Sequence, residues 1–186
     1  MLKIGIILGS TREGRNGEAV ANWVHDFANN RNDDATYEII DLIDYSLPFL
    51  GEAASETQQA TIKAWSEKMD SLDGYIFVTP EYNHAISAVL KNALDYLKPE
   101  LSNKAAGFVG YGSLGGVRAH ENLRLILGEL QVADVRTALT FSIMTDFENM
   151  SVFKPADYHA DNANGMLDQV VAWSGALKEL REKATV

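Results

Sequence analysis

The sequence predicts an α/β fold in which a doubly wound parallel sheet of five strands, in the order 2-1-3-4-5, carries helices on both faces. Three observations predict it. Five short apolar runs alternate with five stretches whose apolar residues recur at helical spacing, a pattern that right-handed crossovers turn into a parallel sheet. The runs are apolar without alternation, as strands buried on both faces must be. The segments after the first, third and fourth runs are rich in turn residues, and in this strand order they meet at the carboxyl edge, with the switch point between strands one and three. A length of 186 residues, with 46% hydrophobic and 23% charged residues, fits one domain spanning 1–186 with a substantial core.

The first strand is read from Ile4, Ile6, Ile7 and Leu8, and the helix after it from Ala19, Val20, Trp23, Val24 and Phe27, ending in the polar run Asn29 to Asp34. Thr36 to Leu42 is the second strand. A loop from Ile43 to Ser55, punctuated by Pro48 and Gly51, is long enough to cover something, and Glu56 to Leu72 is a helix with Ile62, Trp65 and Met69 inward. Gly74 to Thr79 is the third strand, followed by a helix with Ile86, Val89, Leu90, Ala93, Leu94 and Leu97. Lys104 to Tyr111 is the fourth strand, and its helix carries Leu123, Leu125, Ile126, Leu127 and Leu130. Thr137 to Phe141 is the fifth. Asp146 to Asn164 reads as a polar, acidic connection, and Met166 to Lys183 as a closing helix.

Composition excludes several functions. A net charge of -10 opposes binding to nucleic acid or anionic membranes, which need a basic stripe. With no cysteine, disulfides, thiol nucleophiles and thiolate metal sites are ruled out. No run is long enough for a membrane span, so the expectation is a soluble cytoplasmic protein. The four histidines, at 25, 84, 120 and 159, lack ligand spacing. Ser113 does not complete G-x-S-x-G, because Tyr111 stands where the first Gly belongs.

The most informative stretch is Lys3 to Gly17, KIGIILGSTREGRNG, which joins a strand to a turn and a helix start. Gly9 and Gly14 let the chain turn, and the helix aims its free N–H groups and positive dipole end into that turn. Ser10, Thr11 and Asn16 add neutral donors, and Arg12 and Arg15 add guanidinium forks suited to phosphate oxygens. Gly9-x4-Gly14 begins like a P-loop, but Arg15-Asn16 replaces the required Lys and Ser or Thr. The dinucleotide fingerprint fails at Thr11, although Asp41 could imitate its acidic ribose ligand. A monophosphate cup remains. The plainer alternative is an ordinary turn whose two arginines balance nearby carboxylates.

Two further turns share that edge. Pro80-Glu81-Tyr82-Asn83-His84 leads into the third helix, with Asn83 or Ser87 available as its N-cap. Gly112-Ser113-Leu114-Gly115-Gly116 precedes the fourth, where glycines would let a flat group approach bare backbone.

Gly9-Ser10-Thr11-Arg12, Pro80-Glu81-Tyr82-Asn83 with Leu90-Lys91-Asn92-Ala93-Leu94-Asp95, and Gly112 to Gly116 with Arg118 closely resemble the NAD(P)H-dependent FMN reductases of the flavodoxin-like fold, a family that includes quinone, chromate and azo-dye reductases. The resemblance covers most of the chain. It implies that Ser10, Arg12, Asn16 and Gly17 hold the FMN phosphate, that Pro80, Glu81, Tyr82 and Asn83 hold the isoalloxazine, and that Ser113, Leu114, Gly115 and Gly116 line the ring's other polar edge. Arg15 stands where many relatives have a smaller polar residue. The implied activity is hydride transfer from NADPH or NADH to bound flavin and onward to a quinone, azo compound, metal oxyanion or free flavin, and the flavin supplies the chemistry without a catalytic dyad. The rival reading is a non-enzymatic flavodoxin-type electron carrier. The breadth of apolar residues at Ile86 to Leu97 and Leu123 to Leu130 further suggests a homodimer or homotetramer, in which Tyr82, His84 or Arg118 could border a neighbouring site.

Overall fold

The computed structural model describes residues 1–184. Five parallel strands, β1 (Leu2–Leu8), β2 (Ala35–Asp41), β3 (Gly74–Pro80), β4 (Ala105–Gly112) and β5 (Ala133–Ser142), form one sheet in the order β2-β1-β3-β4-β5. The register sets Ile6 beside Ile39 on one side and Ile76 on the other, and Phe77 beside Phe108. This is the expected flavodoxin-like order.

Alternate side chains of the buried strands feed two cores. Ile4, Ile6, Ile76, Val78 and Val109 pack under α1 (Gly17–Asn29) and α5 (His159–Ala184), meeting Val20, Val24, Met166 and Val170. Ile7, Tyr75, Phe77 and Phe108 face α2 (Glu56–Asp70), α3 (Ala88–Asp95) and α4 (Val117–Glu129), meeting Trp65, Met69, Leu90, Leu94, Leu123 and Leu127. Ser55 starts α2 with a reciprocal capping box to Gln58, and Ser87 caps α3 by accepting from the Leu90 amide. A 3-10 turn at Leu42–Asp44 follows β2.

The stretch Asp146 to Asn164 departs from the expected polar connection. A short hairpin, β6 (Phe147–Glu148) with β7 (Val152–Phe153), packs its aromatic rings inward, with Phe153 4.9 Å from both Phe141 and Phe147. The last helix then begins at His159, because Ala163 turns toward the sheet while its polar neighbours face outward. Asp146 is the hub of this region, accepting from the Ser142 amide at 2.9 Å and lying 2.9 Å from His159 Nε2. Strand β5 is longer than its apolar run because Asp134 and Arg136 interrupt the pattern while the strand continues, with the β4 register shifting between the Ala106–Asp134 and Phe108–Ala138 pairs.

At the sheet's β5 edge, Arg124 donates to the Val135 and Arg136 carbonyls at 3.0 and 3.3 Å, and Gln169 accepts from the Thr137 amide at 3.1 Å. Among the described residues no helix is long and apolar enough to cross a membrane.

Candidate functional site

The first loop leaves β1 through Gly9, whose amide bonds to the Val78 carbonyl at 2.8 Å. A Cβ at Gly9 would lie 2.9 Å from Leu90 Cδ2 and 3.0 Å from the Val78 carbonyl oxygen, so only glycine fits between β3 and α3 there. The Ser87 hydroxyl donates to the Gly9 carbonyl, tying the loop to the α3 cap. Ser10 is buried, with its Oγ 3.5 Å from the Tyr82 hydroxyl and 3.4 Å from the Arg12 amide.

The two arginines part company. Arg15 makes a two-pronged ion pair with Asp41 and also donates to the Ser10 carbonyl. Its hydrogen bond to Asp41 raises the guanidinium pKa against the opposing effect of burial. Arg15 therefore braces the loop, as in the plainer reading of that residue, and Asp41 is occupied rather than free for a ribose. Arg12 is exposed, and its guanidinium has no hydrogen bond or ion pair among the described residues. The Asn16 side chain reaches out to the Met150 carbonyl at 3.0 Å, linking the loop to the β6–β7 hairpin. It gives no cap to α1, whose start is the uncapped one of the first four helices' termini, with Glu81 covering α4 as described next.

The second turn is tighter than a plain strand-to-helix connection. Tyr82 and Ala85 exchange backbone hydrogen bonds at 3.0 Å, and Asn83 and His84 between them have φ of 50° and 70°. Positive φ at both central residues is the geometry of a type I′ turn, which Asn tolerates well. The Glu81 amide bonds to the Tyr111 carbonyl at 3.1 Å, so the amides of Glu81 and Tyr82 are both used internally. The Glu81 carboxylate accepts from the Arg118 amide at 3.0 Å and pairs with the Arg118 guanidinium. Burial pushes this carboxyl pKa up, but Arg118 and the Ala119 amide together hold it below its ordinary value. The start of α4 is thus filled by Glu81 and is not bare, contrary to expectation.

The third loop divides likewise. Gly115 and Gly116 have φ of 70° and 79°, and Cβ atoms there would meet Thr140 Cβ and Gly110 Cα, each at 2.8 Å. Their hydrogen-only faces are turned to β5 and β4, so these glycines close the turn. Leu114 is exposed on the outside.

What converges is a cleft of about 160 Å³ lined by Arg12, Arg15, Asn16, Pro80, Glu81, Tyr82, Tyr111, Gly112, Ser113 and Ile143. Three expected loops therefore meet, although Asn83, Leu114, Gly115 and Gly116 do not line the cleft, and Ser10 and Gly17 are buried behind its lining residues. Sequence reasoning missed Tyr111 and Ile143. Tyr111 sits in an apolar run that reads as core, and no local pattern marks its hydroxyl. That hydroxyl is buried without a hydrogen-bond partner among the described residues. Burial, and to a lesser degree Tyr82, push its pKa above the ordinary range against Ser10, Arg15 and Arg12, so it stays a donor. A larger cleft of about 270 Å³ lies past Thr11, between Leu42 to Phe49 and α3. It gathers fewer charged groups and no open helix start.

The cleft fits the phosphate end of FMN. An uncapped helix start, an unpaired guanidinium, a buried hydroxyl in need of a partner and the Ser10 hydroxyl all call for an anion with several acceptor oxygens.

The profile of NADPH-dependent FMN reductases matches residues 2–146. An NAD(P)H-dependent FMN reductase of Nectria sp is 38% identical over 159 residues, covering 78% of this chain and 79% of the relative. A quinone reductase of Escherichia coli is 32% identical over 133 residues, covering 68% of this chain and 69% of the relative. In fold, the chain resembles FerB, a flavoenzyme NAD(P)H:(acceptor) oxidoreductase from Paracoccus denitrificans, with a TM-score of 0.72 at 18% identity over 95% of this chain and 98% of the other. With the sequence match running from the first strand to the end of the fifth, and with its three edge loops gathered at one cleft, the chain belongs to the NADPH-dependent FMN reductase family.

Proposed function

We propose that the protein is an FMN-dependent NAD(P)H oxidoreductase whose cofactor phosphate sits at the start of α1. The observation that carries this reading is the uncapped α1 terminus at Asn16, which lines one cleft together with the unpaired Arg12 and Tyr82. Arg12, Ser10 and the loop amides from Asn16 and Gly17 neutralise and orient the phosphate. Pro80 to Tyr82 form one wall for the ring, with carbonyls and the Tyr82 phenol as polar contacts, while Gly112 and Ser113 line the opposite edge and Asn83 holds the turn that positions Tyr82. Bound there, the flavin would supply hydride acceptance from a nicotinamide and electron donation to a second substrate. The protein's own part is to place the ring and leave one face open. Steady NADPH oxidation by the purified yellow protein with a quinone acceptor tests the enzyme reading. Reduction of bound flavin without turnover would instead indicate an electron carrier.

The reading includes a homo-oligomer, a dimer or a tetramer. Most of the apolar residues expected to exceed one inward stripe are consumed by the core, including Ile86, Leu90, Leu94, Leu97, Leu123 and Leu127. A smaller exposed set remains, Tyr82 and Leu114 in the loops, Val89 on α3, and Val117 and Leu125 on α4, and it supports association through the outer faces of α3 and α4. Arg118 is engaged by Glu81 within its own chain. A monomer in sedimentation at micromolar concentration would refute the oligomer.

A further inference from the structure

We propose that Tyr111 is a phosphate ligand: its hydroxyl donates a hydrogen bond to the cofactor phosphate held at the start of α1. This rests on the FMN reading above and adds a residue that the loop motifs do not contain. The phenol belongs to the end of β4, where it is buried to 6% exposure, yet its oxygen has no partner in hydrogen-bond geometry among the described residues, the Ser10 hydroxyl being a polar neighbour. Burying a hydroxyl without a partner is costly, and such groups are rare in folded proteins.

Its surroundings say what the partner is. A Cβ on Gly17 would lie 2.4 Å from the Tyr111 hydroxyl oxygen and 3.0 Å from Cζ. The phenol head therefore rests against the first residue of α1, the helix whose N-terminal amides have no side-chain cap. Glycine at 17 is what gives the ring room to reach that place. Ser10, Arg12, Arg15 and Tyr82 surround the hydroxyl, each near enough to bear on its ionisation. A donor among other donors and cations is matched by an anion. Because Tyr111 is set by the β4 register, opposite Pro80 on β3 and Phe141 on β5, its hydroxyl is held before the anion arrives.

The test compares FMN with riboflavin, which lacks the phosphate. In flavin-free protein, Tyr111→Phe should weaken FMN binding roughly ten- to a hundredfold, as expected for one hydrogen bond to a charged group. Riboflavin affinity, read by the same fluorescence titration, should change by less than about threefold, within half a decade of binding free energy. The melting temperature of the flavin-free variant should equal or exceed that of the parent, since an unpaired buried hydroxyl has been removed. Unchanged FMN affinity overturns the proposal, and so does an equal loss for both flavins, which would put the hydroxyl on the ribityl chain or ring. A variant that melts lower or fails to fold also overturns it, because the hydroxyl would then serve the fold. Should the parent protein bind neither flavin, the FMN reading itself has failed, and the two failures are told apart by that control.

Discussion

At the scale of single residues, two arginines three positions apart do different work. Arg12→Ala removes a guanidinium with no other partner, so FMN affinity should fall roughly ten- to a hundredfold while the flavin-free melting temperature is unchanged. Lys at 12 should recover part of the loss, keeping the charge without the planar fork. Fluorescence titration checks both. Arg15→Ala should act in the opposite sense. It strands Asp41, whose side chain is 20% exposed beside a 9% exposed Arg15, and should cost roughly 1 to 3 kcal/mol of stability, discounted for that partial exposure. Chemical denaturation measures it, and FMN affinity should suffer less than in Arg12→Ala. The sequence showed that this turn suits an anion, since Gly9, Ser10 and the arginines are adjacent. It does not show which arginine is free, because the partner that decides it, Asp41, comes from the next strand. Tyr111 was hidden for a related reason: an aromatic in an apolar run looks like core until its hydroxyl is seen to reach the loop.

At the scale of elements, α4 shows how a helix is seated by groups that its own periodicity does not reveal. Glu81 fills its start, Gly115 and Gly116 fold the turn before it, and His120 stacks on Phe108 with ring centroids 5.6 Å apart. Burial, together with the Arg124 charge, pushes the His120 pKa down to about 4 against Glu81 and the Val109 carbonyl. The unfolded chain therefore takes up a proton near the ordinary value of 6.5 that the folded chain refuses until about pH 4. Stability should fall as pH drops through that window, by at most about 1.4 kcal/mol per pH unit from this one group. His120→Gln should flatten that part of the slope in denaturation curves recorded between pH 4.5 and 7 (about the span of the shift). The sequence located four of the five large helices closely from their apolar spacing. It placed the start of α5 too late, because Asp161, Asn162 and Asn164 mask the inward Ala163.

For the whole molecule, strand order and the meeting of three loops followed from the alternation of runs and from the crossover rule, which needs no side-chain detail. What each loop contributes is decided by tertiary contacts, since the third loop's glycines spend their freedom on β4 and β5 and leave only Gly112 and Ser113 for the cleft. A ligand confined to the folded chain stabilises all of it. FMN at about a hundred times its dissociation constant should add about 2.7 kcal/mol, which for a chain of this size raises the melting temperature by roughly 5 to 10 °C. Riboflavin at equal concentration should raise it less, having no phosphate. A thermal scan with each flavin decides.

The occupied β5 edge bears on how copies of the chain meet. Because Arg124 and Gln169 already satisfy the outward backbone groups at Val135, Arg136 and Thr137, a second molecule finds no vacant rung there on which to extend the sheet. Sheet extension through this stretch of the edge is therefore blocked. Arg124→Ala with Gln169→Ala should reopen the rungs, and light scattering on the double variant should then reveal slow, open-ended assembly that the parent protein does not undergo.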